Sequence, residues 1–318
     1  MQSLYTRETL EELFRRKKPD IAQSSVTTYV NTVMRIQREL GQPTDEELEA
    51  WLNEMKPTQA RNLMTPLMIM YGEKHKRLFE KYNVLADSDL DQQRLSASEM
   101  RHWVQKKSIK RMLARLREDC NTHKVFSGVS TEAKWRLRQM YVLWSIHFEF
   151  PWRNILNNCR IVPTRAGIDT KLNYYCVREQ SFYISVFKTK SVFKRHGWTL
   201  PLIHRVSGPL SRIIFKHVSK REFVRDFAAP LENVSALFCD VRGRSLSKNA
   251  YSNLLTGATK KYLAKRVGSS LWRHIWLTEW SRSHRTLKER RAAAFRFHQV
   301  SLVTQMRYDR PNAGKTQP

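Results

Sequence analysis

Apolar residues in the N-terminal part of the chain recur at three- and four-residue steps, which is the spacing of one face of a helix. The longest such run contains Val26, Tyr29, Val30, Val33, Ile36 and Leu40. Ser24 or Ser25 is the expected N-cap of that helix. Thr44 and Glu47 have the capping-box form, which predicts a second helix start. We therefore expect several short helices between residues 8 and 84.

The pattern changes after residue 84. Residues 85–99 are polar and have no sustained apolar period, which is typical of a linker. Helical and β-rich patterns then follow, with helices expected at 109–118, 134–156 and 248–264 and strands at 173–177, 182–187 and 198–202. The pattern predicts an N-terminal helical domain at 1–84, a linker at 85–105 and a second domain at 106–318. The fold class is mainly α with a small β-hairpin or sheet, that is, α+β.

The composition adds a large positive charge to this picture. The chain has 318 residues, with 57 Lys+Arg against 29 Asp+Glu, and the net charge is +28. Hydrophobic residues make up 41% of the chain, enough to build folded cores. A folded surface this basic favours a polyphosphate partner, and the composition does not separate DNA from RNA. A ribosomal-type protein and a membrane-surface protein are the alternatives that the composition leaves open.

Metal, disulfide and membrane chemistry are not indicated. The four cysteines, Cys120, Cys159, Cys176 and Cys239, form no C-x-x-C pair and no Cys/His finger pattern. The first residues have no apolar signal region, and no apolar run approaches the length of a bilayer span. We expect a soluble intracellular protein with no metal and no cofactor.

Four short motifs carry residue types suited to phosphodiester chemistry. They are Pro151-Trp152-Arg153-Asn154, Lys188-Thr189-Lys190, Ser270-Leu271-Trp272-Arg273-His274 and the segment from His298 to Tyr308. Breaking a phosphodiester without a metal needs an oxygen nucleophile, cations on the non-bridging oxygens and a proton for the leaving 5′-oxygen. On a helix Ser270 and Arg273 share a face, so both side chains can reach one phosphate.

The order Arg153, Lys188, Arg273, His298, Tyr308 resembles the active site of the tyrosine recombinases, the phage-integrase family, and in particular the integrases of large DNA viruses and mobile elements. The resemblance implies a core-binding domain followed by a catalytic domain. In it, Arg153 and Arg273 hold the phosphate, Lys188 donates a proton with Lys190 in reserve, and His298 assists. Tyr308 is the implied nucleophile, which forms a 3′-phosphotyrosine. Ser270 stands where the family has a histidine, and His274 is an uncertain substitute for it.

The resemblance also implies a partner and an assembly. Double-stranded DNA is the expected substrate, without ATP or metal, and a homotetramer is expected on two DNA sites. Residues 310–318 are a candidate tail for docking on a neighbouring protomer. The host nucleus or a viral replication site is the expected location. Two other functions stay open: a recombinase-fold DNA-binding protein that has lost cleavage, which Ser270 favours, and a type IB topoisomerase.

Overall fold

The computed structural model describes residues 5–91, 95–128, 131–166, 168–195, 197–219, 221, 235–282, 286–296 and 310. The chain divides into two compact units, Met1–Arg94 and Leu95–Pro318. Within the described ranges, no helix combines the length and the hydropathy needed to cross a membrane.

The first unit is helical in its described part. Its helices are α1 (Arg7–Lys17), α2 (Gln23–Leu40), α3 (Asp45–Asn53), α4 (Pro57–Tyr71) and α5 (Lys76–Asp91), with a 3₁₀ turn at Gly72–His75. Helix α4 lies in the middle and contacts each of the other four. Its buried apolar residues are Ala60, Leu63, Met64, Leu67 and Met70. This unit therefore has its own core, built around one apolar helix.

Helix starts in this unit confirm one sequence prediction and correct another. Thr44 caps α3: its hydroxyl accepts from the Glu47 N–H at 3.3 Å, and the Glu47 carboxylate accepts from the Thr44 N–H at 2.8 Å. Helix α2, in contrast, begins at Gln23 with Ala22 at the N-cap. The prediction of Ser24 or Ser25 as the cap was wrong, because both serines lie inside the first turn.

Helix α5 extends into the segment that the sequence predicted as a linker. Leu78, Tyr82 and Ala86 are buried at successive four-residue steps, so one face of the helix stays packed beyond residue 84. Ala86 is small, and its neighbours Val84 and Leu85 are exposed, which hid this stripe among polar residues. The helix reaches Asp91 because its buried face continues past the end of the apolar pattern.

The second unit combines helices with one small sheet. Its elements are α6 (Ala97–His102), α7 (Lys106–Thr122), α8 (Glu132–Glu149), β1 (Arg160–Val162), β2 (Tyr174–Cys176), β3 (Ser181–Ile184), α9 (Lys190–Arg195), β4 (Leu202–Arg205), α10 (Gly208–Ser219), α11 (Lys248–Leu263), α12 (Ser269–Ser281) and α13 (Leu287–Arg296). Helix α8 is central and packs against α7, α10 and α11. The predicted fold class, mainly α with a small sheet, is confirmed.

The sheet has four strands in the order β1-β2-β3-β4. Strands β1 and β2 are parallel, and the other two pairs are antiparallel. The last strand was predicted at 198–202, but β4 begins at Leu202, and the short helix α9 occupies part of the connection from β3. Phe193 of α9 is buried and packs edge-on against Phe187 at 5.2 Å, which explains why this basic segment folds back as a helical turn.

A buried polar cluster ties α8 and α10 to the segment around Leu237. His217 stacks on Trp135 at 5.2 Å, and its Nε2 lies 2.9 Å from the Leu237 carbonyl oxygen. Arg221 donates to the carbonyl oxygens of Ala236 and Leu237 at 2.6 and 2.8 Å. Burial, followed by the charges of the adjacent arginines, holds the pKa of His217 well below its usual value of 6.5. This histidine is therefore neutral in the folded protein.

Candidate active site

Arg153 lies in the loop that follows α8. Two aromatic residues anchor this loop: Phe150 and Trp152 stack on each other at 4.6 Å, and Trp152 meets Phe182 of β3 edge-on at 5.3 Å. Both rings are buried, whereas Arg153 itself is only half-buried. The chain turns tightly after it, since the Ile155 N–H donates to the Arg153 carbonyl at 2.7 Å. The loop thus presents Arg153 from a rigid aromatic base.

Arg273 lies on α12, which is fixed to the C-terminal end of α8 by Trp272. The Trp272 indole N–H donates to the His147 carbonyl oxygen at 2.6 Å, and its ring stacks on Phe148 at 5.7 Å. The last carbonyls of a helix have no partner within the helix, so this bond satisfies one of them. Arg153 follows the same end of α8. Both predicted phosphate-binding arginines are therefore placed by elements that meet there.

Arg273 is 4% exposed and lies close enough to His147 to affect its charge. Burial, with the Arg273 guanidinium as the second cause, lowers the pKa of His147 from 6.5 to about 3. The ring's Nε2 lies 2.9 Å from the Tyr251 hydroxyl. His147 is therefore neutral, and no pattern along the chain indicated that Arg273 would lie close enough to influence it.

Ser270 and Arg273 differ in burial although they lie one turn apart. Ser270 is exposed in the first turn of α12, whereas Arg273 is nearly covered. His274, the uncertain substitute for the missing histidine, has its Nε2 3.6 Å from a Glu99 carboxylate oxygen on α6. The hydroxyl of Ser270 is thus the accessible group at this position.

Lys188 lies in the turn between β3 and α9 and is exposed, and Lys190 is the first residue of α9. The turn is closed by a bond from the Lys190 N–H to the Phe187 carbonyl at 3.1 Å. The side chain of Asn173 connects this region to the Arg153 loop. Its Nδ2 donates to the carbonyl of Ile155 at 2.7 Å and to that of Val186 at 2.9 Å. The structure therefore links the Arg153 loop and the segment leading into the Lys188 turn through one side chain.

The remaining two predicted site residues, His298 and Tyr308, lie outside the described residues. Arg310, two positions after Tyr308 in the sequence, is described and is 7% exposed. Its backbone N–H donates to the Thr278 hydroxyl of α12 at 2.8 Å, and its guanidinium lies 4.0 Å from Glu99. Arg310 was expected to begin a tail that docks on a neighbouring protomer. Arg310 makes these contacts within its own chain, and the rest of the candidate tail, residues 311–318, lies outside the described residues.

The cysteines take no part in this arrangement. All four are buried with free thiols. Burial raises the pKa of Cys120 to about 12 and that of Cys239 to about 11, so these thiols are poor nucleophiles. In the described part of the chain, no group of three His, Cys, Asp or Glu side chains has the arrangement of a metal site.

Some basic residues pair with acids in both units; in the second unit, Arg244 pairs with Asp240 and Lys261 with Asp119. In the first unit several pair with acids: Arg35 with Glu39, Arg61 with Asp87, Lys76 with Glu73, and Arg77 and Lys81 with Glu49. In the second unit, α7 exposes a basic face that sequence reasoning did not single out. It consists of Lys107, Lys110, Arg111, Arg115 and Arg117. These five side chains are accessible to an anionic partner.

Comparison with known proteins adds a similarity to a recombinase structure. No family model matches the chain, and no curated protein is similar to it. Among solved structures, the chain is similar to one described as the crystal structure of XerA recombinase. The sequence identity is 14%, the TM-score is 0.43, and the match covers 94% of this chain and 92% of that one.

Proposed function

We propose that this protein is a DNA strand-exchange enzyme of the tyrosine-recombinase kind, which breaks and rejoins duplex DNA through a 3′-phosphotyrosyl intermediate. The observation that carries the proposal is that hydrogen bonds connect three predicted site elements to the C-terminal end of α8 or to the loop that follows it. These are the Arg153 loop, the Asn173-linked segment before Lys188 and the Arg273 helix. Arg310, close to Tyr308 in the sequence, packs on the same α12 that carries Arg273.

The proposed cleavage step uses four side chains. The phenolic oxygen of Tyr308 attacks phosphorus and gives up its proton to water. The bond between phosphorus and the 5′-oxygen breaks, its electron pair stays on that oxygen, and the ammonium of Lys188 supplies the proton. Arg153 and Arg273 donate to the non-bridging oxygens and stabilise the added charge. Rejoining reverses the step, because a 5′-hydroxyl attacks the phosphotyrosine and releases Tyr308.

Duplex DNA is the proposed partner because of its charge. The chain carries a net charge of +28, and α7 exposes five cations in the unit that holds the candidate site. Lysines and arginines on phosphates release condensed counterions, which gives sequence-independent affinity. We extend the proposal to a tetramer on two DNA sites and to a viral or mobile-element role. Both extensions rest on the resemblance of the motifs.

Covalent capture on nicked duplexes tests the proposal. The nick lies just 3′ of the candidate phosphate, so the short 5′-hydroxyl strand diffuses away and the adduct accumulates. The expected result is a protein–DNA band on a denaturing gel, formed without metal or ATP and lost in Tyr308→Phe. Tyr71→Phe, at an exposed tyrosine of the first unit, is the matched control and keeps the band. A band that persists in Tyr308→Phe contradicts the assignment of the nucleophile.

A second candidate function is DNA binding without cleavage. Ser270 favours it, because an exposed hydroxyl stands where the resemblance implies an imidazole, and a hydroxyl is a poor proton acceptor near neutral pH. Salt-sensitive DNA binding with no covalent band across a broad pool of nicked sites would support this second function.

A type IB topoisomerase gives the covalent band as well, but its activity rises in proportion to protein concentration, whereas that of a tetramer rises more steeply.

A further inference from the structure

The side chain of Asn173 makes four hydrogen bonds, which is all that a primary amide can form. Its Nδ2 donates to the Ile155 and Val186 carbonyls. Its Oδ1 accepts from the N–H groups of Ser185 and Val186 at 2.9 and 2.8 Å. The residue is 3% exposed. The two backbone donors fix which end of the amide is oxygen, so the arrangement is defined without ambiguity.

These four bonds specify asparagine at position 173. Aspartate lacks the two donors, leucine lacks all four groups, and the longer glutamine would have to push into a buried space. A peptide group left unsatisfied in the interior costs about 1–3 kcal/mol. The backbone at Val186 is held at both its N–H and its carbonyl by the same amide. That peptide segment therefore cannot shift while the side chain of Asn173 keeps its bonds.

The segments that Asn173 joins are the two that carry the predicted chemistry. Ile155 lies two residues after Arg153, and Val186 lies two residues before Lys188. Between Val186 and Lys188, the Phe187 ring is buried and packed on α9. Lys188 thus stands at the end of a short segment held at two consecutive positions, while its own side chain is exposed. The Asn173 bonds set the position of that segment relative to the Arg153 loop.

We infer that Asn173 is a positioning residue that holds the proton donor Lys188 in register with the phosphate-binding Arg153; the inference rests on the function proposed above. Asn173 itself touches neither substrate nor reacting atoms. Replacing it leaves Lys188 in the protein but lets the ammonium move away from the leaving 5′-oxygen. The defect is therefore specific to protonation of the leaving group.

A change of leaving atom separates this role from a general loss of structure. In a substrate with sulfur in place of the bridging 5′-oxygen, the bond from phosphorus to sulfur breaks and the electron pair leaves on sulfur. A thiol has a pKa near 8.5, so the thiolate leaves without taking a proton. General acid catalysis contributes about 10²–10⁴-fold, and this contribution is absent from the sulfur substrate. Faulty positioning of Lys188 consequently slows only the oxygen substrate.

The experiment measures single-turnover cleavage of both substrates by the full-length protein. We expect Asn173→Ala to slow cleavage of the oxygen substrate by at least about tenfold, as part of the general-acid contribution is removed. We expect cleavage of the sulfur substrate to stay within about twofold, the usual limit of additivity. Lys188→Ala shows the same selectivity more strongly. Adding Asn173→Ala to Lys188→Ala is expected to cause no further decrease in the cleavage rate, because no proton donor is left to position.

Asn157→Ala is the matched control. Asn157 is also buried and follows the same loop, but its amide donates to the Leu246 carbonyl at 3.4 Å and not to the segment before Lys188. Asn157→Ala is expected to change the cleavage rates of both substrates by the same factor. If Asn173→Ala fails to fold, Asn173→Ser keeps one polar atom at the site and undergoes the same comparison.

Three outcomes overturn the inference: equal slowing of both substrates by the Asn173 variant, no slowing of either, or a full additional decrease in the double variant. Failure of the proposed function is distinguishable from these. It is seen when the unaltered protein forms no adduct on either substrate, or when Lys188→Ala does not discriminate between oxygen and sulfur.

Discussion

Two adjacent serines at the start of α12 have opposite environments. Ser269 is 8% exposed, whereas Ser270 faces solvent. The exposed hydroxyl lies one turn before Arg273. The hydrogen bond from Trp272 to the His147 carbonyl fixes this part of α12 near the C-terminal end of α8. In the proposed reaction, this accessible position suits a group that exchanges protons with the phosphate, and the hydroxyl of Ser270 is only a weak acid–base group.

Ser270→His tests this position directly. An imidazole accepts a proton near neutral pH and a hydroxyl does not, so we expect the single-turnover cleavage rate at pH 7 to rise by roughly tenfold. An exposed substitution away from the core changes stability by only about ±0.5 kcal/mol. Ser270→Ala is the control and is not expected to accelerate the reaction. A slower Ser270→His variant with normal DNA affinity would show that this position does not handle protons.

At the scale of the elements, the junction of α8 and α12 depends on one indole. Trp272 donates to a carbonyl in the last turn of α8, and its ring is fully buried between Trp144 and Phe148. Trp276, one turn later on α12, is only half-buried and has Lys106 over its ring at 4.7 Å. Both tryptophans lie on α12, but Trp272 bonds the helix to α8, whereas Trp276 packs against the ammonium of Lys106.

Trp272→Phe is expected to lower the free energy of unfolding by about 2 kcal/mol, because the His147 carbonyl is left buried without the indole donor. Trp276→Phe is the matched control, with an expected decrease of well under half that figure, since a half-buried ring leaves no buried acceptor behind. Urea unfolding followed by far-ultraviolet circular dichroism measures both. Equal decreases in the free energy of unfolding of the two variants would show that the Trp272 hydrogen bond adds no stability of its own.

The elements also show where sequence reasoning succeeds. The capping box of Thr44 was predicted because both halves of the motif lie within one turn of the chain. Arg273 lies on a helix, as the motif suggested, but the helix predicted at 134–156 ran too far: it ends at Glu149, and Arg153 lies in the loop that follows. Asn173 had no such signal, because its four partners lie 12 to 18 residues away along the chain. The contact from Arg310 to Thr278 had no local signal either, because it spans 32 residues of the chain.

Two buried neutral histidines make stability depend on pH at the scale of the molecule. The pKa of His147 is lowered to about 3 and that of His217 falls well below 6.5, so the unfolded chain binds more protons than the folded one below pH 6.5. The stability that these neutral histidines contribute is therefore fully present above pH 6.5, and it is lost progressively as the pH falls below that value. Each histidine removes about 1.4 kcal/mol per pH unit, or about 2 kcal/mol by pH 5.

His217→Gln isolates this effect. The glutamine cannot be protonated, so the decrease in stability between pH 7 and pH 5 should shrink by about 2 kcal/mol relative to the unaltered protein. His123→Gln, at an exposed histidine, should leave that decrease unchanged. Urea unfolding at the two pH values gives the comparison. An identical pH dependence in the His217 variant would mean that this ring is not neutral in the fold.

The distribution of charge predicts how the whole molecule binds DNA. Lys107 and Lys110 are exposed on α7, whereas Arg77 and Lys81 pair with Glu49. Changing the two α7 lysines to glutamine should flatten the plot of log affinity against log salt by up to about 2, because each phosphate that is no longer neutralised lowers the slope by about 0.9. The same change at Arg77 and Lys81 should have little effect. Equal flattening by both pairs would argue against α7 as the DNA-binding face.

As the proposed nucleophile, Tyr308 becomes covalently joined to DNA, and peptide mapping of the adduct identifies the modified residue. The adduct formed on a nicked duplex is digested with nuclease and trypsin, and the peptide that carries the remaining nucleotide is sequenced by mass spectrometry. We predict the modification on the tyrosine of the peptide Tyr308–Lys315, which follows Arg307. A nucleotide on any other residue, or no modified peptide from a protein that binds DNA tightly, would show that Tyr308 is not the nucleophile.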